Sequence, residues 1–513
     1  MYAIEPTVLV SSAAAHYSCS LFLFANRGGM LFQATLYGVL FLLCAVACAK
    51  IRSRRVRQAI LLIASYALYL TWGVWFAAAL LTSTLMNFLV GQWLRRRSSP
   101  VALWTGILLN LALLGSFKYL PDVAVHFPLS SVQRFAHLAL PLGISFWTFQ
   151  AMSYLFDLYR GEELDPSFFE FALYMVFFPV TISGPICRMP DMLPQFRSTE
   201  LTRWNDIGRG FTRIATGVFM VQLAKLLGRG ILAGDGINSG FDRVTQWSGA
   251  DVWCLTLGCG LQLFFDFAGY SHIAIGVARM LGFTVPENFA RPFHSISPSI
   301  FWTRWHMSLS FWIRDYVFLP LAVLRREVWW RNFVLVVSMV LFGLWHQASV
   351  LFLLWGCYHG VLLVLHRQVQ QLQRRFDWEP PANLWAPVSW TATTALINLG
   401  WIFFRADSPA EARDMLSAVL SPASYVSHFL SGTLYLMVAG LALGYAIVLL
   451  VVEALDRHPA EPESSGARPG MIALLARWRW YWIPPIYAVA LLFLLIITLT
   501  HGPNAAQFMY RRF

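Results

Sequence analysis

The stretch "FGLWHQASVLFLLWGCYHG", Phe342 to Gly360, decides how the chain is read. It has no charged residue and is apolar enough to lie in lipid, yet it carries His346 and His359. Ionisable side chains at membrane depth are costly, so each needs a partner or a role. On one straight helix the residues between them turn through about 1300°, leaving the rings roughly 220° apart around the axis and about 20 Å apart along it. Such a pair cannot share a metal or act as a dyad. Separate explanations follow: His359 as a core histidine bonded to a backbone carbonyl, and His346, between Trp345 and Gln347 and near Gly343, as a ring that another backbone or a ligand approaches closely.

The whole chain shares this character. Of 513 residues, 58% are hydrophobic and 12% charged, and the mean hydropathy is +0.57. Soluble domains have about 45–50% apolar and about 25% charged residues, so this is an all-α, multi-pass integral membrane protein. The net charge of +12 sits in short clusters beside apolar runs, which suits cytoplasmic loops and lipid headgroups and excludes a nucleic-acid surface. The seven cysteines lie mostly inside apolar segments without C-x-x-C spacing, which points to neither a disulfide frame nor a metal site. The absence of Lys or Arg before Arg27 predicts no cleavable signal peptide.

At about 20 apolar residues per crossing, spans are expected near 31–49, 59–75, 77–94, 101–120, 138–158, 168–186, 211–232, 251–282, 300–322, 332–350, 351–367, 388–404, 431–453 and 480–500. "KIRSRRVR" (Lys50 to Arg57) and "RRR" (Arg95 to Arg97) are expected on the cytoplasmic side, so the segment between them crosses an even number of times, turning near Trp72-Gly73. Arg325-Arg326 and Arg374-Arg375 carry the same signal, and residues 456–470 read as a polar loop. Two segments are irregular. "FFPVTISGPICRMPDMLPQF" (Phe177 to Phe196) puts four prolines and a glycine near membrane depth, and Glu287 to Leu321 is neither cleanly polar nor cleanly apolar. Broken backbone at that depth must be buried in protein or line a cavity, so both segments point to a central chamber. Within the second, "WTRWHMSLS" holds His306 among Trp302, Trp305, Arg304, Ser308 and Ser310, which an interfacial amphipathic helix would also explain, and Arg314-Asp315 reads as an ion pair.

The ordered set "ENFARPF", "FWTRWHMSLSFWIRDYVFLPL", "FGLWHQASVLFLLWGCYHG" and "GWIFFRA", preceded by "LPLGISFWTFQAMSYLFDLYRG", "FFPVTISGPICR" and "LQLFFDFAGYSHIAIG", resembles the membrane-bound O-acyltransferase family in its bacterial polysaccharide branch. That branch holds the alginate O-acetylation and teichoic acid D-alanylation membrane subunits. The resemblance implies a ring of transmembrane and re-entrant helices around a central channel, with residues 138–406 as the catalytic core. N-terminal helices would occupy 31–137 after a segment 1–30, and C-terminal helices 407–500. It places the catalytic histidine at His346 and the second histidine at His306, with Trp345, Trp305, Arg314, Asp315 and Asn288 as supporting residues and no metal. Gln347 stands where glycine commonly follows the catalytic histidine, a change expected to reshape the donor channel, and His272 stands where Asp is common. The closing "FMYRRF" resembles the Phe-x-Tyr-x-x-Phe ending of these proteins and makes Tyr510 an acyl relay within a tail, 501–513; an aromatic, basic interfacial anchor is the other reading.

The residues fit that chemistry independently. Passing an acyl group from a thioester to a hydroxyl needs a base, and imidazole, with an ordinary pKa of about 6.5, suits it. A phenol, with a pKa of about 10, leaves more readily than a sugar alcohol, so an acyl-tyrosine keeps its transfer potential. The expected protein is thus an inner-membrane O-acyltransferase, foremost an O-acetyltransferase, serving an exported polysaccharide. It would bind no cofactor, take acetyl-CoA as donor, and work with a periplasmic polysaccharide-modifying protein among membrane lipids. The alternatives are a D-alanyl transferase fed by a carrier-protein thioester and, in another class, a transporter or channel with proton-relaying histidines. The lack of internal repeats and of several intramembrane carboxylates speaks against the last.

Sidedness gives the first test. In a chain whose native cysteines are replaced, single cysteines at Arg52 and at Arg96 should both resist a membrane-impermeant thiol reagent in intact cells. Labelling of only one means that 59–94 crosses an odd number of times.

Overall fold

The computed structural model describes residues 27–121, 139–231, 234–243, 246–378, 381–457, 489, 490 and 492. The regular elements among them are all helical, and six helices are long and apolar enough to cross a membrane. Two compact units divide the chain: residues up to Arg209 with Val277–Val285, and Gly210–Gly276 with Pro286 onward.

The first unit contains α1 (Arg27–Lys50), α2 (Arg54–Leu70), α3 (Val74–Arg96), α4 (Pro100–Lys118), α5 (Ile144–Tyr159), α6 (Phe168–Val176), α7 (Met189–Arg197) and the start of α8 (Trp204–Arg229). A three-residue turn, 71–73, joins α2 to α3 at the expected Trp72-Gly73. In lipid there is no hydrophobic gain from helix association, so close approach and buried hydrogen bonds must supply it. Both are present. Gly91 on α3 lies so close to Tyr154 of α5 that a Cβ would stand 2.6 Å from the ring, and Gly106 on α4 admits Leu155 in the same way. Asn87 and Asn110, both fully buried, exchange side-chain hydrogen bonds of 3.1 and 2.6 Å between α3 and α4.

The span expected over 168–186 is helical only to Val176. A capping box between Ser167 and Glu170 starts α6, and Arg197 holds the Glu170 carboxylate through two hydrogen bonds of 2.9 and 3.0 Å. From Phe177 the chain runs through tight turns, where Val180 and Thr181 donate to the Phe177 carbonyl and Gly184 to that of Val180. The segment is buried in protein, which is the condition for broken backbone at membrane depth. Gly143 receives it: its φ is +73°, and a Cβ would collide with the Thr181 carbonyl.

The second unit contains the rest of α8, then α9 (Ile237–Arg243), α10 (Gly249–Met280, mostly here), α11 (Pro298–Trp302), α12 (Met307–Ile313), a π-helical turn (Arg314–Phe318), α13 (Leu319–Ala322), α14 (Val328–His346), α15 (Val350–Arg375), α16 (Ala382–Arg405), α17 (Pro409–Leu420) and α18 (Gly432–Arg457). The apolar window of α10 is 89% buried, against 33% for α14 and 11% for α18. An apolar helix hidden all round is a core element, whereas apolar residues left exposed on α14 and α18 form a lipid-facing surface. The span expected over 300–322 is not one helix; it breaks into α11, α12, the π turn and α13. The fully buried Asp251 accepts from the backbone N–H of Phe429 and Leu430 and from the Tyr435 hydroxyl, tying the start of α18 to the start of α10.

Histidines 346 and 359 do not lie on one straight helix. The chain reverses at Gln347–Ser349, and α14 and α15 pack as an antiparallel hairpin. Three glycines set its tightness. A Cβ on Gly343 would collide with the Phe352 carbonyl, one on Gly356 would stand 2.5 Å from the Met339 carbonyl, and one on Gly360 would stand 2.8 Å from the Val336 Cα. The approach that the sequence allows at Gly343 is therefore made by backbone. Gly356→Ala should cost roughly 1–3 kcal/mol through overpacking against main chain. Gly115→Ala, in a helix with open space around the Cβ position, should be neutral to slightly stabilising. Thermal unfolding of the two variants in the same detergent compares them; equal midpoints would mean the hairpin yields freely.

Candidate active site

His306 and His346 come from segments with different reasons for their shape and meet at one buried cavity of about 20 Å³, room for roughly one or two waters. Its lining is Leu263 and Phe267 of α10, Trp302, Trp305 and His306, Phe342 and His346 of α14, Trp355 of α15, and Trp401 and Phe404 of α16.

His346 is the last residue of α14 and is 7% exposed. Its ring stacks on Phe342, one turn earlier, at 5.6 Å between centroids and 17° between planes. Phe404 (5.5 Å) and Trp355 (5.8 Å) stand edge-on to it. The carbonyl end of a helix favours a positive charge, so this placement suits an imidazole that becomes protonated during a reaction.

His306 caps the start of α12 in the left-handed conformation, φ 43° and ψ 52°, and is 2% exposed. A bulky residue held there is strained by about 1–3 kcal/mol and persists only when its surroundings over-determine it. Asn288 does so. Fully buried, it donates to Ser271 at 3.0 Å, accepts from the Ser308 hydroxyl at 2.6 Å, and its carbonyl accepts the Met307 N–H at 2.9 Å. Ala290 N–H adds a bond to the Arg304 carbonyl. The 288–290 segment thus splints both sides of the turn, and Phe267 meets the His306 ring edge-on at 4.6 Å.

Trp345 spans the two histidines, 4.6 Å from His346 and 6.4 Å from His306. Trp305 stacks on Phe301 at 5.3 Å and lies 5.2 Å from Trp401, forming part of the wall. Of the expected supporting residues, Asn288, Trp305 and Trp345 are therefore at the site. Arg314 and Asp315 are not: they pair with each other at 2.6 Å in the π-helical turn, with Arg314 over the Phe311 ring, and line no part of the cavity. Gln347 is exposed and also outside the lining of this cavity. Tyr510 lies outside the described residues.

His359 is 1% exposed, and its Nδ1 has no hydrogen-bond partner among the described residues, so the expected bond to a carbonyl is not made there. Aromatic edges hold the ring instead: Trp355 at 4.8 Å and Trp302 at 5.2 Å. Because the hairpin folds α15 back on α14, the Trp355 ring lies between His346 and His359. The wall residues Phe267, Trp302, Phe342, Trp355, Trp401 and Phe404 were not singled out as site residues from the sequence. The one signal available was the density of Trp and Phe in the stretches that also carry the histidines.

Among the described residues no three of His, Cys, Asp and Glu converge as a metal site. The chemistry on offer is a pair of imidazoles in an apolar, protein-enclosed space, which suits proton transfer from a bound hydroxyl.

Comparison with known proteins is consistent with this geometry. The model of the membrane-bound O-acyltransferase family matches residues 127–403. The chain is 34% identical over 411 residues to a Pseudomonas putida protein named probable alginate O-acetylase AlgI, covering 76% of this chain and 80% of that one. It is 32% identical over 397 residues to a Helicobacter pylori peptidoglycan O-acetyltransferase, covering 70% and 73%. It is 31% identical over 259 residues to a Bacillus subtilis teichoic acid D-alanyltransferase, covering 48% and 64%. With more than half of its length matched by the family model and His306 and His346 inside the match, the chain belongs to the membrane-bound O-acyltransferase family, and it is an acyltransferase of the membrane.

Proposed function

We propose that this acyltransferase resides in the bacterial inner membrane and moves an acetyl group from a cytoplasmic thioester, acetyl-CoA, toward an exported polysaccharide. The observation that carries the proposal is the convergence of His346 and His306 on one enclosed aromatic cavity. His346 is the base: it takes the proton of the acceptor hydroxyl as that oxygen attacks the thioester carbonyl, and the helix end behind it favours the imidazolium formed. Aromatic walls limit water, which would otherwise compete as acceptor. Acetyl is preferred to D-alanyl because the relatives named O-acetylase or O-acetyltransferase align over 70% or more of this chain, and the D-alanyltransferases over 48%. A periplasmic polysaccharide-modifying protein would complete the transfer.

The helices support this direction of travel. Arg325-Arg326 precede α14 and Arg374-Arg375 end α15, so both basic pairs lie at the open end of the hairpin and His346 at its closed end, about 28 Å away along α14. With the basic end cytoplasmic, the histidine faces the outer side. The 24 residues of α16 then lead outward and the 26 of α18 lead back to Arg457. The span expected over 480–500 would return the chain to the outside, which brings Tyr510 to the side where an exported acceptor waits. There Tyr510 serves as relay, accepting the acyl group as an ester.

Two measurements test the proposal. His346→Ala should remain folded and lower thiol release from acetyl-CoA by 10²–10⁴-fold, the usual worth of a general base, with a smaller loss for His306→Ala. Wild-type turnover in His346→Ala would remove it from the mechanism. Tyr510→Phe should abolish polysaccharide acetylation while donor hydrolysis survives, and intact-mass analysis with donor should find an adduct of one acetyl on wild type alone. Undiminished modification by Tyr510→Phe would reduce the tail to an anchor.

A further inference from the structure

The cavity is lopsided in its chemistry. Its lining contains no carboxyl, hydroxyl or amide side chain; the side-chain polar groups are the indoles of Trp302, Trp305, Trp355 and Trp401 and the imidazoles of His306 and His346. An indole only donates, and a neutral imidazole offers one donor and one acceptor. The indole N–H groups of Trp302, Trp355 and Trp401 are buried with no hydrogen-bond partner among the described residues, and neither ring nitrogen of His306 has one from another residue. Two of these residues are fixed well enough to keep their groups where they are: Trp302 stands edge-on to Trp355 at 5.7 Å and to Phe342 at 5.3 Å, and Trp355 stands edge-on to Phe342 at 5.7 Å. Trp401 has a packing explanation, since its N–H edge abuts Gly260, where a Cβ would lie 2.6 Å from Nε1. Trp302 and Trp355 have none. Orphaned buried donors each forfeit about 1–3 kcal/mol, and in native structures such a cluster calls for an explanation.

The geometry points to an oxyanion site: we propose that the indole N–H groups of Trp302 and Trp355 donate to the acyl carbonyl oxygen, the electrophilic counterpart of the proton transfer at His346. A carbonyl oxygen accepts two hydrogen bonds, which is what two indoles provide. Fixed neutral donors in an aromatic-walled site stabilise negative charge on an oxygen placed between them. In the step, the acceptor oxygen bonds to the carbonyl carbon and its proton passes to His346. The carbonyl π pair moves onto the oxygen held by the two indoles. As that oxyanion collapses, the C–S bond breaks, and the departing sulfur takes the proton back from His346. The assignment rests on the acyltransferase reading above and extends it to the residues that handle the carbonyl.

Trp302→Phe and Trp355→Phe remove the N–H and keep an aromatic ring. In the purified full-length protein each should lower kcat for thiol release by 10-fold or more, up to the 10²–10³-fold seen for single oxyanion donors, with KM changing less than about 3-fold. A structural role alone would not separate kcat from KM. Two probes based on pantetheine, the arm common to coenzyme A and carrier proteins, give a readout free of turnover. S-(methylphosphonyl)pantetheine presents tetrahedral anionic oxygens; S-ethylpantetheine presents none. The phosphonyl probe should bind wild type more tightly than the ethyl probe, and each Trp→Phe variant should lose about 10-fold of that preference while binding the ethyl probe unchanged. Equal preference in wild type and variants, or no preference in wild type, overturns the assignment. A wild type that prefers the phosphonyl probe yet turns over no thioester would leave the oxyanion site standing and bring down the acetyl-transfer reading instead.

Discussion

The close contact between α14 and α15 is the constraint on which the site depends. Because Gly343, Gly356 and Gly360 carry no side chain, the two backbones meet, and the ten residues from His346 to Trp355 double back instead of running on. That reversal brings Trp355 within 5.8 Å of His346 and turns the start of α15 into a wall of the same cavity. A wider hairpin would leave His346 with only Phe342 and Trp345 of its own helix as aromatic neighbours, without the cover of Trp355 and Phe352 from α15. Small residues at a helix interface are the usual means of close packing in membranes, where apolar side chains gain nothing by leaving lipid. Here the same residues also build the site.

The second histidine is positioned by the opposite strategy. His306 sits on irregular backbone, and its left-handed conformation is maintained by hydrogen bonds from a separate segment, Asn288 to Ala290. A short helix, a strained residue and another short helix let a side chain enter the unit's interior at a point where a continuous helix would present only its regular face. The cost of the irregular backbone is met by burial and bonding, consistent with the rule that broken structure at this depth belongs inside protein. One histidine is thus held by a regular hairpin and the other by a splinted turn, and the two share Phe342 and Trp345 as neighbours.

How much of this is legible in the sequence depends on the range over which each feature is encoded. Apolar runs, basic clusters and the irregularity of 177–196 and 287–321 are local, and they predict a multi-pass helical protein with a buried broken centre. The break of 300–322 into four short pieces is only half legible. "WTRWHMSLS" reads as an amphipathic helix until Asn288, twenty residues before Ser308, is known to lie against it. His359 is a similar case. The helical wheel separates it from His346, whereas the glycine-lined hairpin sets the two on either side of one indole. The Arg314-Asp315 pair is legible as an ion pair, but its place outside the cavity is not, because the π-helical turn that carries it follows from packing. Trp355, Trp401 and Phe404 could not be read as walls of one cavity, since each is an ordinary apolar residue of its own helix and only the tertiary fold brings them together.

The composition of that cavity says what it can discriminate. With no side-chain oxygen in the lining, a proton released there has only an imidazole to go to, and a carbonyl oxygen has indole donors with no side-chain oxygen competing for them. The lining holds no carboxylate and no Lys or Arg, so negative charge is met there by N–H dipoles alone. Such a space favours a neutral reactant whose charge separates only at the moment of reaction, which is the condition under which fixed dipoles lower a barrier more than they tighten ground-state binding. The rigid aromatic edges matter for the same reason, because donors that had to reorient would give back in reorganisation what they gain in contact. Thioester and hydroxyl are both neutral on entry, and their reaction generates an oxyanion and an imidazolium side by side. The aromatic wall without side-chain oxygens is therefore not a passive seal against water; it is what makes that transient pair of charges worth more inside the protein than in solution.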